Sequence, residues 1–238
     1  MAWIKKTFDK IYLEAFNFLN KRSRKEVNEI IKLLKIKKSH LILDLCCGWG
    51  RHVCSFYKKS YNIRGIDISN EFISYAKKTC KPKLFSIKDV KKLNYKNEFD
   101  IILNLETSFG YYGDNTNKII LRKIYAALRK DGKFLLDLIN PSYVANNFKK
   151  RLIIYEKEKL KIIDLNELNK QKDVIKTKRL IYLKGKSYTK EIILRLYNKQ
   201  ELKIILKNIG FEKIRFFGKL NGDKYNSKSP RLIVLAEK

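Results

Sequence analysis

The sequence predicts an α/β protein built on one open, mostly parallel sheet, and three observations carry that expectation. Apolar runs of strand length alternate with helical periodicity from residue 41 to residue 139. The first run, Leu41–Leu45, passes into Cys46-Cys-Gly-Trp-Gly50 and then into helical spacing through Val53, Phe56 and Tyr57. Strand, glycine turn and helix in that order open a nucleotide-binding βαβ unit. The following runs end in Asp67, in Asp89 and in the polar-aromatic stretch 106–112. Strand ends carrying Gly, Asp, Asp and a polar-aromatic loop converge on one rim, where open α/β sheets take their ligands.

The elements follow in order. An aromatic stripe at helical spacing (Trp3, Phe8, Ile11, Tyr12, Ala15, Phe16, Leu19) precedes a second one (Val27, Ile30, Ile31, Leu34), with residues 21–24 between them. Two helices are expected, which either close over the rim or simply pack on the sheet. At Gly48 and Gly50 a side chain would hold a ligand off the backbone, and the helix behind them favours a carboxylate or phosphate. Residues 61–69 form a second strand whose Asp67 lies near the ~20-residue offset at which a carboxylate reaches a ribose. Ser69 caps the next helix, with Glu71 in its first turn and Phe72, Ile73 and Ala76 inward. Residues 84–87 and 99–105 are the third and fourth strands. A helix over 117–130 is stopped by Asp131-Gly132, and a fifth strand covers 133–139.

From Pro141 the pattern changes. Residues 152–163, 174–183 and 188–197 are three strand-like runs with short polar breaks, as in an antiparallel meander. Asn198 caps a helix that runs to Asn208 before Gly210, and residues 211–220 and 231–236 complete the sheet as an antiparallel pair. The expected division is a helical segment over 1–38, a core over 39–149, an antiparallel β cap over 150–197 and the remainder of the core over 198–238.

A chain of 238 residues holds one substantial α/β core and an accessory element. No apolar run approaches the ~20 residues that span a bilayer. Charges at Asp9, Lys10 and Glu14 interrupt any signal-peptide core, so a cytoplasmic protein with no membrane partner is expected. The net charge of +30 is mostly lysine scattered over every segment. It fits background lysine usage better than a dedicated nucleic-acid surface, which concentrates arginine in a groove or a tail. Cysteines 46, 47, 54 and 80 include no Cys-x-x-Cys pair, so no metal site is expected.

Several pieces together resemble a known family. They are Phe8-Asp-Lys-Ile-Tyr-Leu13, Leu43-Asp-Leu-Cys-Cys-Gly-Trp-Gly-Arg-His52, Gly65-Ile-Asp-Ile-Ser69, Asp89-Val90 and Phe99-Asp-Ile-Ile-Leu-Asn-Leu105. Further on come Thr107-Ser-Phe-Gly-Tyr-Tyr112, Gly132-Lys-Phe-Leu-Leu-Asp137 with Asn140, Leu194-Arg-Leu-Tyr197 and Ser229-Pro-Arg-Leu-Ile-Val-Leu-Ala236. In this order they resemble a class I S-adenosylmethionine-dependent methyltransferase of the small-molecule type. The resemblance implies a Rossmann-like fold: a seven-stranded, mostly parallel sheet with helices on both faces, plus a small antiparallel β insertion. It implies S-adenosylmethionine as cofactor and S-adenosylhomocysteine as product. Two residues depart from the family pattern: Cys46 stands where the first glycine is usual, and Glu106 where many relatives are apolar or aromatic.

The resemblance implies roles for particular residues. Asp67, with the adjoining Ile68, holds the ribose, Asp89 and the Val90 backbone meet the adenine edge, and the turn from Cys46 through Gly48 to Gly50 lies along the methionine moiety. Asp44 either orders that turn or meets the amino group, to which the Leu105 carbonyl is a second candidate. Arg51 either meets the cofactor carboxylate or an acceptor anion, or is a solvated surface residue. Methyl transfer is a direct displacement that demands positioning more than covalent machinery. An acceptor amine or hydroxyl must also lose a proton. The candidates for that task are Tyr12, Glu106, Tyr111 and Tyr112, or water; His52, on the first helix, is not expected to be well placed. Tyr12, Phe109, Tyr112, Arg195 and Tyr197 are the candidate acceptor contacts, although Arg195 and Tyr197 serve equally as a satisfied pair beneath the sheet. The expected activity is methyl transfer to N or O of a small molecule. The alternatives are an RNA methyltransferase and a non-catalytic cofactor-binding subunit. Asn104-Leu-Glu-Thr107 stands where many base-amino methyltransferases have an Asn/Asp-Pro-Pro-Tyr tetrad. Oligomeric state is not legible.

Overall fold

The computed structural model describes residues 2–238, without the side chains of Ala2, Trp3 and Lys5, so Trp3 of the first aromatic stripe lies outside the described residues. The chain opens with helices α1 (Ala2–Thr7) and α2 (Lys10–Phe16), a 3-10 stretch (Asn17–Arg22) and α3 (Ser23–Leu34). Two helices were expected. The stripe is broken at Phe8-Asp9, where the Asp9 carboxylate turns to cap α2 by accepting from the Tyr12 N–H. The central run is β1 (Leu41–Leu45), α4 (Arg51–Tyr57), β2 (Asn62–Asp67), α5 (Asn70–Thr79), β3 (Phe85–Ile87), β4 (Phe99–Asn104), α6 (Asp114–Ala127) and β5 (Leu128–Ile139).

A seven-stranded sheet results, in the order β10-β11-β5-β4-β1-β2-β3, in which β11 (Arg231–Glu237) alone runs antiparallel, between β5 and β10 (Glu212–Phe217). The chain steps outward from β1 to β3, then returns to place β4 on the other side of β1. The β1–β4 crevice is therefore the topological switch point, open at the carboxyl ends of both strands. Alternation along β1 sends Leu43 and Leu45 to the α6 side and Ile42 to the α3–α4 side, so Asp44 shares a face with Ile42. Val27, Ile30 and Leu34 of α3, with Val53 and Phe56 of α4, fill that second face and are fully buried.

Between α7 (Pro141–Asn146) and α8 (Lys199–Ile209) lies a separate four-stranded antiparallel sheet. Its strands are β6 (Arg151–Lys157), β7 (Leu160–Leu168), β8 (Val174–Leu183) and β9 (Lys186–Arg195), in sequence order. Three strands were expected there. The run over 152–163 is a hairpin whose turn is built from Glu158, at φ +39°, with no Gly, Asn or Pro to mark it. Helix α7 was also not foreseen; Pro141 occupies its first turn and the Asn140 side chain caps it. A third correction concerns residues 128–132. Helix α6 ends at Ala127, and Arg129 to Gly132 loop out of β5, since Phe99 pairs with Leu128 but Ile101 with Lys133. Asp131-Gly132 is thus an irregularity inside a strand and not a helix stop. The insertion packs through Ile162, Ile181 and Leu183 against Leu13 and Phe16 of α2 and against Trp49 and Phe72. No helix among the described residues is long and apolar enough to cross a membrane.

Candidate functional site

A cavity of about 310 Å³ lies over the carboxyl ends of β1, β2 and β4, roofed by α1 and α2 and closed at one side by the insertion. Its floor is the turn after β1. Cys46 sits at φ +55°, Gly48 at +56° and Gly50 at +78°, so this non-glycine residue carries a left-handed backbone where the related pattern has glycine. The turn is tied down by Cys47 N–H to the Ile66 carbonyl (3.0 Å) and Gly48 N–H to Asp67 Oδ2 (2.9 Å). Gly50 supports the cavity from behind: a Cβ there would stand 2.6 Å from Phe85 Cε1 and 3.1 Å from Ala76 Cβ. Gly50→Ala is expected to cost about 3 kcal/mol from overpacking and left-handed strain, read as a lower denaturant midpoint at unchanged m.

Four acidic side chains reach the rim. Asp67 Oδ1 also accepts from the Ser69 N–H at 2.9 Å; burial raises its pKa, and the backbone donors of Ser69, Gly48 and Ile68 oppose that. Asp89 accepts from the Lys91 N–H at 2.9 Å. Asp44 is fully buried, and its Oδ2 has no partner among the described residues. Burial, with a smaller push from Asp67 and an opposing pull from Arg51, takes its pKa from 3.8 up to about 8. Glu106 and Thr107 follow β4 at φ +55° and +58°. This strained pair is pinned by Asp137, whose Oδ2 accepts from Glu106 N–H (3.0 Å) and whose carbonyl accepts from Thr107 N–H (2.9 Å). Asp137 in turn accepts from Arg231 Nε at 2.8 Å.

A charged chain runs from α3 to this loop. Glu26 accepts from Arg22 Nε (2.9 Å) and Arg51 Nη1 (2.5 Å), and its Oε2 stands 2.9 Å from His52 Nε2. Arg22 and Arg51 both continue to Glu106 Oε1, at 2.8 and 2.9 Å. Burial disfavours ionisation of Glu26, but His52 and Arg51 outweigh it and hold its carboxyl well below the usual range. Burial and Arg51 lower the His52 pKa, so its imidazole is neutral at physiological pH. Contrary to expectation, His52 lines the cavity; of the readings left open for Arg51, the solvated surface residue is the one its 6% side-chain exposure excludes.

The opposite wall is aromatic. Tyr12 stacks on Phe16 at 4.4 Å and meets Phe8 edge-on at 5.0 Å, while Phe8 tilts against Tyr111 at 5.5 Å. Arg179 of β8 reaches in from the insertion. It is held in a bidentate pair by Asp164 (2.7 Å twice), and its Nη1 donates to the Tyr12 hydroxyl at 2.8 Å. Burial raises the phenol pKa of Tyr12, which Arg179 partly offsets, and burial pushes Tyr111 and Tyr112 upward too.

The structure therefore brings Tyr12, Asp44, Cys46, Gly48, Arg51, Asp67, Ile68, Asp89, Val90, Leu105, Glu106, Tyr111 and Tyr112 to one cavity. The Leu105 carbonyl there already accepts from Ser108 Oγ at 2.7 Å. Four candidates do not line it: Gly50, which supports it from behind, and Phe109, Arg195 and Tyr197. Phe109 is buried against Tyr197 (5.4 Å), whose hydroxyl donates to Asp114 at 2.6 Å and accepts from Asn117 at 2.9 Å. Arg195 lies 4.7 Å over the Tyr197 ring and pairs with Glu201 and Asp114. Both side chains are spent on joining the end of β9 to α6, because the chain bends into the core where Arg195 N–H meets the Gly110 carbonyl at 2.9 Å. Sequence reasoning missed Phe8, Trp49, Phe72, His52 and Arg179 as cavity residues. Trp49 lies inside the glycine motif and was open to discovery; nothing in the β8 pattern distinguishes Arg179 from its lysine neighbours.

Residues 42–132 match the family model described as a methyltransferase domain. The YqeM protein of Bacillus subtilis (strain 168), named as a candidate methyltransferase, is 24% identical over 208 residues, 83% of each chain. An S-adenosylmethionine-dependent methyltransferase from Clostridium acetobutylicum ATCC 824 superposes with a TM-score of 0.77 at 19% identity, over 91% of both chains. S-adenosylmethionine-bound CalS10, an amino pentose methyltransferase from Micromonospora echinaspora, superposes with a TM-score of 0.73 at 16% identity, over 96% of both chains.

Proposed function

Taking the chain as a class I S-adenosylmethionine-dependent methyltransferase, we propose that it methylates a nitrogen of a small, amine-bearing acceptor. The carrying observation is the partly open cavity of about 310 Å³, with an unpartnered, buried Asp44 carboxylate oxygen on one side and an aromatic roof on the other. A buried carboxylate without a donor suits a cationic ligand, and the cofactor carries an ammonium and a sulfonium, so the residues fit it. When bound, S-adenosylmethionine supplies the electrophilic methyl group. Asp67 would hold the ribose hydroxyls, with Ile68 beside it, and Asp89 and Val90 the adenine edge. The turn from Cys46 to Gly50 would carry the amino-acid end, with Asp44 on its ammonium.

The chain's own residues then orient and enclose. Residues 2–38 form a lid, and Phe8, Tyr12 and Phe16 exclude water above the reacting atoms. Residues 150–197 shape the acceptor side through Arg179, which fixes the Tyr12 hydroxyl. Raised phenol pKa values keep Tyr12, Tyr111 and Tyr112 protonated, so they serve as hydrogen-bond partners and not as bases. The Glu106 carboxylate is already engaged, its Oε1 accepting from Arg22 and Arg51 at 2.8 and 2.9 Å. A hydroxyl acceptor would need a strong base, whereas an amine, once its ammonium has lost a proton to water, attacks through its own lone pair, displaces the thioether and sheds one further proton to water. Among the structural neighbours one is named as a sugar N-methyltransferase, KedS8 of Streptoalloteichus sp ATCC 53650. A cytoplasmic location fits the four cysteines, which stand as free thiols.

An RNA acceptor is the second reading, favoured by the net charge of +30. Incubation with methyl-labelled cofactor separates the two. Label is expected on members of an amino-sugar and biogenic-amine panel and not on total RNA at physiological salt. Label on RNA alone would overturn the small-molecule assignment.

A further inference from the structure

We propose that Arg22 and Arg51 form a subsite for the amino-acid carboxylate of the cofactor, and that Glu106 occupies this subsite as an internal competitor. The inference rests on the methyltransferase reading and assigns a part of its site. Two guanidinium groups from different elements converge on one oxygen, Glu106 Oε1, at 2.8 and 2.9 Å. Their other faces are anchored to Glu26, so the pair is held in place whether or not Glu106 is present. Two fixed arginines offering N–H donors to a single carboxylate oxygen are a carboxylate receptor.

Glu106 fills it from a loop that is itself strained. The two consecutive left-handed residues, 106 and 107, are fixed by Asp137, so the backbone stays while a rotation of the Glu106 side chain releases both arginines. Glu106 is the removable member: its side chain is 36% exposed, against 12% for Glu26. Arg51 and Glu106 both line the cavity. The neighbouring chemistry says which carboxylate belongs there. Asp44, with its unpartnered Oδ2, lies on the same side of β1 and within electrostatic reach of Arg51. An acid for an ammonium beside an arginine pair for a carboxylate is the complement of an α-amino acid, whose two charges sit on one carbon.

The test uses two nucleosides that differ only at that end. S-adenosylhomocysteine carries the amino-acid group and 5′-methylthioadenosine does not. By calorimetry, Glu106→Gln is expected to bind S-adenosylhomocysteine roughly fivefold more tightly, the worth of one half-exposed ion pair removed from competition. Its affinity for 5′-methylthioadenosine should not change, which also reports a folded adenosine site. In an Arg22→Met background the gain from Glu106→Gln should disappear. Equal shifts for both ligands, a weaker S-adenosylhomocysteine complex, or a gain that survives Arg22→Met would each overturn the subsite. Wild-type protein that binds neither ligand would instead overturn the methyltransferase reading.

Discussion

Asp67→Ala is expected to lower affinity for S-adenosylmethionine and S-adenosylhomocysteine by about 100-fold or more. The carboxylate accepts from Gly48 N–H and Ser69 N–H, both at 2.9 Å, so it fixes the glycine turn as well as offering acceptor capacity to a ribose. Hydrogen bonds to a charged group are worth about 1.5–3 kcal/mol each, and two such losses account for a hundredfold. Asp67→Asn separates the two contributions. It retains one acceptor oxygen for the backbone and so should keep more of the stability than of the affinity. Calorimetry with both ligands and with NAD, beside denaturant unfolding, measures each part. Undiminished binding by Asp67→Ala, or a preference for NAD, would remove the cofactor assignment.

The second large effect is pH dependence set by Asp44. Its folded-state pKa, about 8, lies above the 3.8 of an unperturbed group, so between those values the folded protein holds one proton more than the unfolded chain. The free protein therefore loses stability as pH rises through that window, and keeps it below the lower value. The groups facing Asp44 give the same sign: Asp67 raises its pKa, Arg51 opposes this only in part, and a neutral His52 adds no charge. A ligand ammonium reverses the preference, since it pairs with the ionised form. Affinity for S-adenosylhomocysteine should rise by up to about tenfold per pH unit from 6 toward 8, with one proton released on binding. Calorimetry in buffers of different ionisation enthalpy counts that proton, and Asp44→Asn should abolish both the release and the slope. A flat wild-type profile, or the same slope in the variant, would place the ammonium elsewhere.

Much of the cavity floor was legible because each residue stands where a strand ends. Asp44, Asp67, Asp89 and the turn between Cys46 and Gly50 are local marks, readable from the change of period at their own positions. The acceptor side was less so. Arg195 and Tyr197 are spaced as if on one strand face, yet β9 ends at Arg195 and both side chains turn to α6, and spacing says nothing about which neighbour a residue will meet. Glu106 was marked as a departure from the pattern the sequence resembles, but its partners Arg22 and Arg51 lie 84 and 55 positions away. The hairpin of β6 and β7 was hidden by a turn made of charged residues.

The sequence by itself determined the order of strands and helices, the glycine turn and the acids at the strand termini, because these depend on periodicity and backbone preference within a few residues. Only the tertiary structure decided that Asp44 keeps an unpartnered oxygen, that His52 faces the cavity, and that Arg179 reaches in from the insertion. It also decided that two arginines close on Glu106. Those outcomes depend on burial and on charges brought together from distant segments, and Coulomb and desolvation energies follow distance in space rather than distance along the chain.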